Sequence, residues 1–154
     1  MNRIVRGVIA GAAGTVALDA ATYADMALRG RGSSGTPASL VGVLADKVGI
    51  ASLGTEAKDE TASNRRSGLG ALLGYATGVT VGAAYGAIRG RRGDGSLRAG
   101  VVVGLAAMAA SDAPIAVSGV SDPRTWGVSG WASDAIPHLI YGLVTVAAYD
   151  AIDA

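Results

Sequence analysis

Four stretches of the chain are apolar for long enough to cross a bilayer, which takes about 20 mostly apolar residues. They run from Ile4 to Leu28, Ser67 to Ile88, Leu97 to Ser118 and Trp131 to Ile152. None carries the charged stripe that a helix of a water-soluble bundle presents. The pattern predicts an all-α membrane protein, one domain over residues 1–154 with four transmembrane helices. The first stretch follows Arg3 and Arg6, as a secretion signal does, but Gly11, Gly14 and Asp19 interrupt it. Leu18 also sits where a cut after Ala20 needs a small residue. It reads as a retained first membrane helix.

The connections differ in character. Residues 29–66 form the longest one. Arg29 to Thr36 is rich in Gly and Ser and turn-like. Thr36-Pro37 is a good helix start, with Pro at the first helical position. Leu40, Val43, Leu44 and Val48 then fall on one face, away from Asp46 and Lys47. This predicts a short interfacial helix over about Pro37 to Ile50. The polar stretch Thr55 to Arg66 is expected to be mobile. The second connection, Arg89 to Ser96, is short and holds Arg89, Arg91 and Arg92. The third, Gly119 to Gly130, holds Trp126, with Trp131 just after it, a pairing that reads as an interfacial aromatic belt. Arg3, Arg6 and the dense second loop favour a cytoplasmic N-terminus, opposed by six Lys and Arg in the first loop. Four crossings then put both termini on the cytoplasmic side of a bacterial inner membrane.

Composition agrees with the pattern. Half the residues are hydrophobic (50%) and only 16% are charged, too few for an ordinary soluble surface. The net charge of +1, with eleven Arg scattered near segment ends, presents no basic face for nucleic acid. The absence of Cys excludes disulfides, thiolate metal sites and thiol nucleophiles. Eleven Arg against two Lys, with abundant Ala, Gly and Val, suggests a GC-rich bacterial genome.

Glycine placement is the next signal. Gly70, Gly74, Gly78, Gly82 and Gly86 recur every four residues along the second helix, on one face. In water each would cost roughly 1 kcal/mol against alanine. Close small-xxx-small packing of membrane helices offsets that cost. The first and third helices repeat a pattern of their own: Gly7, Gly11, Asp19, Ala20 and Gly100, Gly104, Asp112, Ala113. The second and fourth share another, Gly78 with Ala83-Ala84-Tyr85 and Gly142 with Ala147-Ala148-Tyr149. The order is kept, so a duplicated helical hairpin is expected. In that alignment Gly70 meets Asp134 and Gly74 meets His138. Gly70, Gly74, Gly78, Gly82, Gly86, Gly7, Gly11, Gly100 and Gly104 are the expected packing positions.

Ionisable residues at membrane depth cost roughly 2.5–3.5 kcal/mol each on insertion scales, and so mark candidate sites. Asp19, Asp112, Asp134 and His138 fall inside the expected spans. An up-down topology puts all four on one side of the midplane, about 5–14 Å from one edge at 1.5 Å per residue. Asp134 and His138 are i,i+4 neighbours, and Tyr141 continues their face. Tyr23 sits one turn from Asp19. Pro114 and Pro137 each remove a backbone donor beside an Asp or the His, as at the broken helices of ion and proton sites. Two readings of the cluster stand: a buried proton or cation site, or hydrogen bonding that glues helices together. The ligands are too dispersed for a metal site, His138 lacks a second axial ligand for haem, and no Ser-His-Asp arrangement or phosphate loop is apparent. No cofactor, metal or catalytic residue is expected.

The stretch Asp134 through Pro137-His138-Leu139-Ile140-Tyr141-Gly142 resembles a family of small bacterial inner-membrane proteins of unknown function, one member of which is linked to acid resistance. The opening Ala-Gly-Ala-Ala-Gly-Thr and Thr22-Tyr23-Ala24-Asp25-Met26 is similar to actinobacterial membrane proteins. The resemblance implies four membrane helices and no established activity. Two functions follow as expectations. One is a small channel or transporter-like protein with a proton- or cation-responsive Asp/His cluster. The other is a non-catalytic accessory subunit that packs on a partner, in a homo-oligomer or a larger membrane complex, through its glycine faces.

Overall fold

A computed structural model of the chain describes residues 1–89 and 96–153. Arg91 and Arg92, part of the orientation argument, lie outside the described residues. Among the described residues there are five α-helices and no strand: α1 (Arg3–Arg29), α2 (Thr36–Lys47), α3 (Glu60–Ile88), α4 (Leu97–Val117) and α5 (Gly127–Asp153). A single 3-10 turn at Pro123–Thr125 precedes α5. Helices α1, α3, α4 and α5 are long and apolar enough to cross a membrane.

Two helices begin earlier than apolarity alone predicts. Helix α3 starts at Glu60, because the Asp59 side chain accepts the Ala62 N–H at 2.9 Å and caps the first turn. Arg66 then donates back to the carbonyls of Gly54 (2.7 Å) and Ala57 (2.9 Å). The Thr55 to Arg66 stretch, expected to be mobile, is thus tied down at both ends. Helix α5 starts at Gly127, where φ is +64°. Arg29 fastens that start to the end of α1, donating to Ser129 at 2.8 Å and also to Ser133. Asp25 holds Arg29 (2.6 Å) and Arg31 (2.5 Å) in place.

Asp46 closes the first connection by accepting the Thr55 hydroxyl (2.7 Å) and N–H (3.1 Å). These bonds, the hydroxyl first, hold its carboxyl below the usual carboxylate range. A depressed folded-state pKa contributes stability above the unfolded value, about 3.9, and loses it as pH falls through the folded value. The Thr55 amide should therefore exchange with solvent faster as pH drops below about 4, after correction for intrinsic rates. Asp46→Asn should remove that dependence. An amide whose corrected protection stays flat across the range in both proteins would show the contact to be unimportant.

Helix α1 packs between α3 and α5, α4 packs on α5, α2 lies on α3, and α3 touches α4 only lightly. Glycines set the closest approaches. A Cβ placed on Gly11 would lie 2.7 Å from the Gly78 carbonyl oxygen, and Gly82 faces the backbone of Gly7 and Gly11 directly. The second hairpin repeats this: a Cβ on Gly104 would lie 2.6 Å from the His138 carbonyl oxygen, and Gly142 faces Gly100 and Gly104. These contacts make Gly82 the counterpart of Gly142 and Gly78 the counterpart of His138. That register is one helical turn from the one the Ala-Ala-Tyr match suggests. Gly86 also lies on α1, against Arg3 and Gly7, while Gly70 lies under Pro37 of α2. Gly74 meets nothing within 4 Å.

With no Phe in the chain, tyrosines fill the centre. Tyr141, Tyr149 and Thr145 are fully buried beside Ala10, Val103, Ala107 and Val146. Tyr85 and Tyr149 meet edge to face at 5.4 Å. The outside is apolar. Leu28, Ile88, Val117 and Val128 are each more than four-fifths exposed, and many other large apolar side chains join them. A monomer in water rarely shows such a surface, and a bilayer covers it. Helix α2 turns Val41, Gly42 and Ala45 inward. Small residues permit the closest approach to α3, so Leu44 is left 43% exposed, and Val48, past the helix end, 71%.

Candidate functional site

The polar residues inside the bundle fall into three separate groups. Asp112, Asp134 and His138 come together between α4 and α5, and Ser111 joins them. One turn of α5 separates Asp134 from His138, which places the ring Nδ1 2.8 Å from the Asp134 carbonyl oxygen and 3.3 Å from its carboxylate Oδ1. A carbonyl only accepts, so Nδ1 carries a hydrogen and donates. The other ring nitrogen, Nε2, lies 3.2 Å from the Ser111 hydroxyl oxygen. Ser111 Oγ is also 2.9 Å from the Met108 carbonyl and 3.4 Å from Asp112 Oδ1. The Asp112 carboxyl lies within hydrogen-bonding reach of the Asp134 carboxyl. His138 and Asp134 are largely covered, their side chains 13% and 21% exposed. Asp134 Oδ2 is buried with no hydrogen-bond donor.

The Ser111 hydroxyl has one hydrogen and two uses for it. With a neutral imidazole it donates to Nε2. With an imidazolium it accepts from Nε2–H and turns its own hydrogen to the Met108 carbonyl. Both protonation states of His138 are thereby satisfied without moving a helix. Helices α4 and α5 continue without interruption past Pro114 and Pro137, so the expected breaks do not occur. Each proline still lacks the N–H that would serve the carbonyl four residues back, at Ala110 and Ser133.

No Ser-His-Asp arrangement is expected from the sequence, yet the fold assembles one from Ser111, His138 and Asp134. Its surroundings do not suit nucleophilic catalysis. Ser111 lies mid-helix, where backbone N–H groups are already committed, and the nearby prolines contribute none. A developing oxyanion beside the Ser111 hydroxyl would therefore meet no donor pair. It would also meet the Asp112 carboxyl.

Asp19, Tyr23 and Tyr141 stand apart from this cluster. Asp19 accepts a hydrogen bond from Tyr75 at 2.8 Å, joining α1 to α3. Tyr23 is exposed on the outer surface. Tyr141 is buried and donates to the Gly78 carbonyl at 2.6 Å, joining α5 to α3. Ser111 and Tyr75 are the residues that sequence reasoning misses. Adjacency to Asp112 flags Ser111. Tyr75 is an aromatic hydroxyl within the glycine-striped span of α3, near the depth of Asp19.

Four helices long and apolar enough to cross a membrane fit a multi-pass integral membrane protein. No protein-family model, curated protein or solved structure matches the chain.

Proposed function

We propose that the protein takes up and releases protons at the Ser111–Asp112–Asp134–His138 cluster, as part of a small channel or transporter in a bacterial inner membrane. One observation carries the reading. Asp134 Oδ2 is buried without a donor while the Asp112 carboxyl lies within reach of the same side chain. Two carboxylates that meet away from water need a hydrogen or a cation between them. A proton suits the site better than a metal ion. Both His138 nitrogens are already engaged, Nδ1 by Asp134 and Nε2 by Ser111, which leaves no ring nitrogen for a metal. The chain supplies one charge-accepting imidazole beside the carboxyl pair and a hydroxyl that adjusts to either state.

Arg3, Arg89 and Arg98 share the end of the bundle where α1 and α4 begin and α3 finishes, and Arg3 donates to the Arg89 carbonyl at 3.4 Å. This supports an arrangement with both termini on the cytoplasmic side.

The test is a nitrogen NMR titration of the His138 ring in micelles. His138 is the chain's single histidine, so the signal needs no assignment. The ring should gain and lose a proton reversibly between about pH 5 and 8. It should keep its hydrogen on Nδ1 throughout, and Asp112→Asn should alter the curve. A ring that stays in one protonation state over the whole range removes the reading.

A further inference from the structure

We propose that the groove between α3 and α4 binds one acyl chain of an anionic phospholipid, with the lipid phosphate at Arg98 beside Arg89. A cavity of about 590 Å³ separates these two helices, which touch less than the other consecutive pairs of long helices. Val81 and Ile88 of α3 and Val102 and Ala106 of α4 form its apolar walls. Arg89 and Arg98 stand at one end.

From Arg98 to Ala106 the groove runs about 12 Å at 1.5 Å per residue. Its apolar walls and its volume accept a single hydrocarbon chain. The rim is open to the side, with Ile88 and Val102 both well exposed, so the occupant can enter from the hydrocarbon of the bilayer.

The polar end selects a negative headgroup. Arg98 is exposed there. Arg89 is held rigidly by Asp150 at 2.5 Å and by the faces of Tyr85 and Tyr149, 5.3 and 5.6 Å from their ring centres. The first turn of α4 begins at this same end, with Ser96 capping it through the Ala99 N–H, and helix N-termini favour phosphate. Tyr85, on the cavity wall and 8% exposed, buries its hydroxyl with no hydrogen-bond partner. A phosphate or ester oxygen of the lipid is the acceptor this corner of the groove lacks.

Native mass spectrometry of the detergent-purified protein tests the proposal, with phosphatidylglycerol, phosphatidylcholine and inorganic phosphate titrated separately. One phosphatidylglycerol should be retained per chain, about tenfold more tightly than phosphatidylcholine, as expected for a charge-assisted arginine–phosphate contact. Arg98→Ala should bring the two lipids level. Ala106→Phe, at an exposed wall position, should fill the groove and weaken both lipids. Far-UV circular dichroism confirms that each variant keeps its helices. Equal retention of the two lipids by the wild type overturns the headgroup assignment, and indifference to Ala106→Phe overturns the groove. Inorganic phosphate binding as tightly as phosphatidylglycerol would show a free-anion site in place of a lipid site.

Discussion

Gly82→Leu is expected to pull α1 and α3 apart and cost more than about 3 kcal/mol of stability, at the severe end of single substitutions. Its added Cβ would overlap the Gly7 carbonyl and lie 2.5 Å from Gly11 Cα and 2.7 Å from Gly11 N. Overpacking a core against side chains costs about 1–3 kcal/mol, because those side chains can rotate away. Here the obstacles are main-chain atoms of another helix, so relief requires the helices to move. Moving them also strips contacts from Ala10 and the buried Tyr141. The control lies on the same helix. Gly74→Leu places its side chain in open space and should be neutral or stabilising by up to about 1 kcal/mol, since leucine is the better helix former. Unfolding of both variants in mixed micelles, followed by far-UV circular dichroism as SDS is added, gives the comparison. Equal midpoints would mean that the close approach of these glycines contributes little.

The same pair of glycines shows what the chain reveals before its structure is known. Helix count and length follow from apolarity, because a bilayer demands about 20 such residues whatever their identity. Depth follows too: counting residues from the helix ends puts Asp112 level with Asp134 and His138, and the fold brings them together. Rotation about each helix axis is what apolarity cannot supply. Ala- and Gly-rich helices have no polar face to say which side turns inward. Asp19 matches Asp112 in depth and in local sequence, but it points toward Tyr75 of α3 instead of the α5 cluster. Five glycines share one stripe, yet Gly78, Gly82 and Gly86 pack on α1, Gly70 serves α2, and a Cβ on Gly74 would meet nothing within 4 Å among the described residues. Ser111 escaped notice because a lone serine in an apolar helix usually bonds to its own backbone, as it also does here to Met108. The start of α3 was hidden for a different reason. Residues 60–66 are polar and carry no hydrophobic period, and only the Asp59 cap and the Arg66 contacts commit them to helix.

Asp112→Asn is expected to reduce proton flux through the reconstituted protein to the level of empty vesicles while leaving the fold intact. The substitution changes almost no volume. Its amide can donate to the Asp134 carboxylate, whose Oδ2 has no donor, so stability should hold or rise slightly. What is lost is the ability to release the hydrogen. A proton arriving at His138 could then be held but not passed to a second carboxyl. Ser111→Ala tests the other side of the imidazole. It removes the hydroxyl that serves Nε2 in either state, one hydrogen bond worth about 1–1.5 kcal/mol, so flux should fall by about tenfold and not vanish. The ordering matters more than either value: Asp112→Asn below Ser111→Ala, and both below wild type. Proteoliposomes with a pH-sensitive dye inside and an imposed pH gradient give the three rates. If the cluster only binds α4 to α5, Ser111→Ala should loosen the helices and Asp112→Asn should not, and neither should change a flux. A wild-type rate equal to that of empty vesicles would remove the transport reading and favour an accessory subunit, whose open glycine at position 74 then becomes the first place to seek its partner.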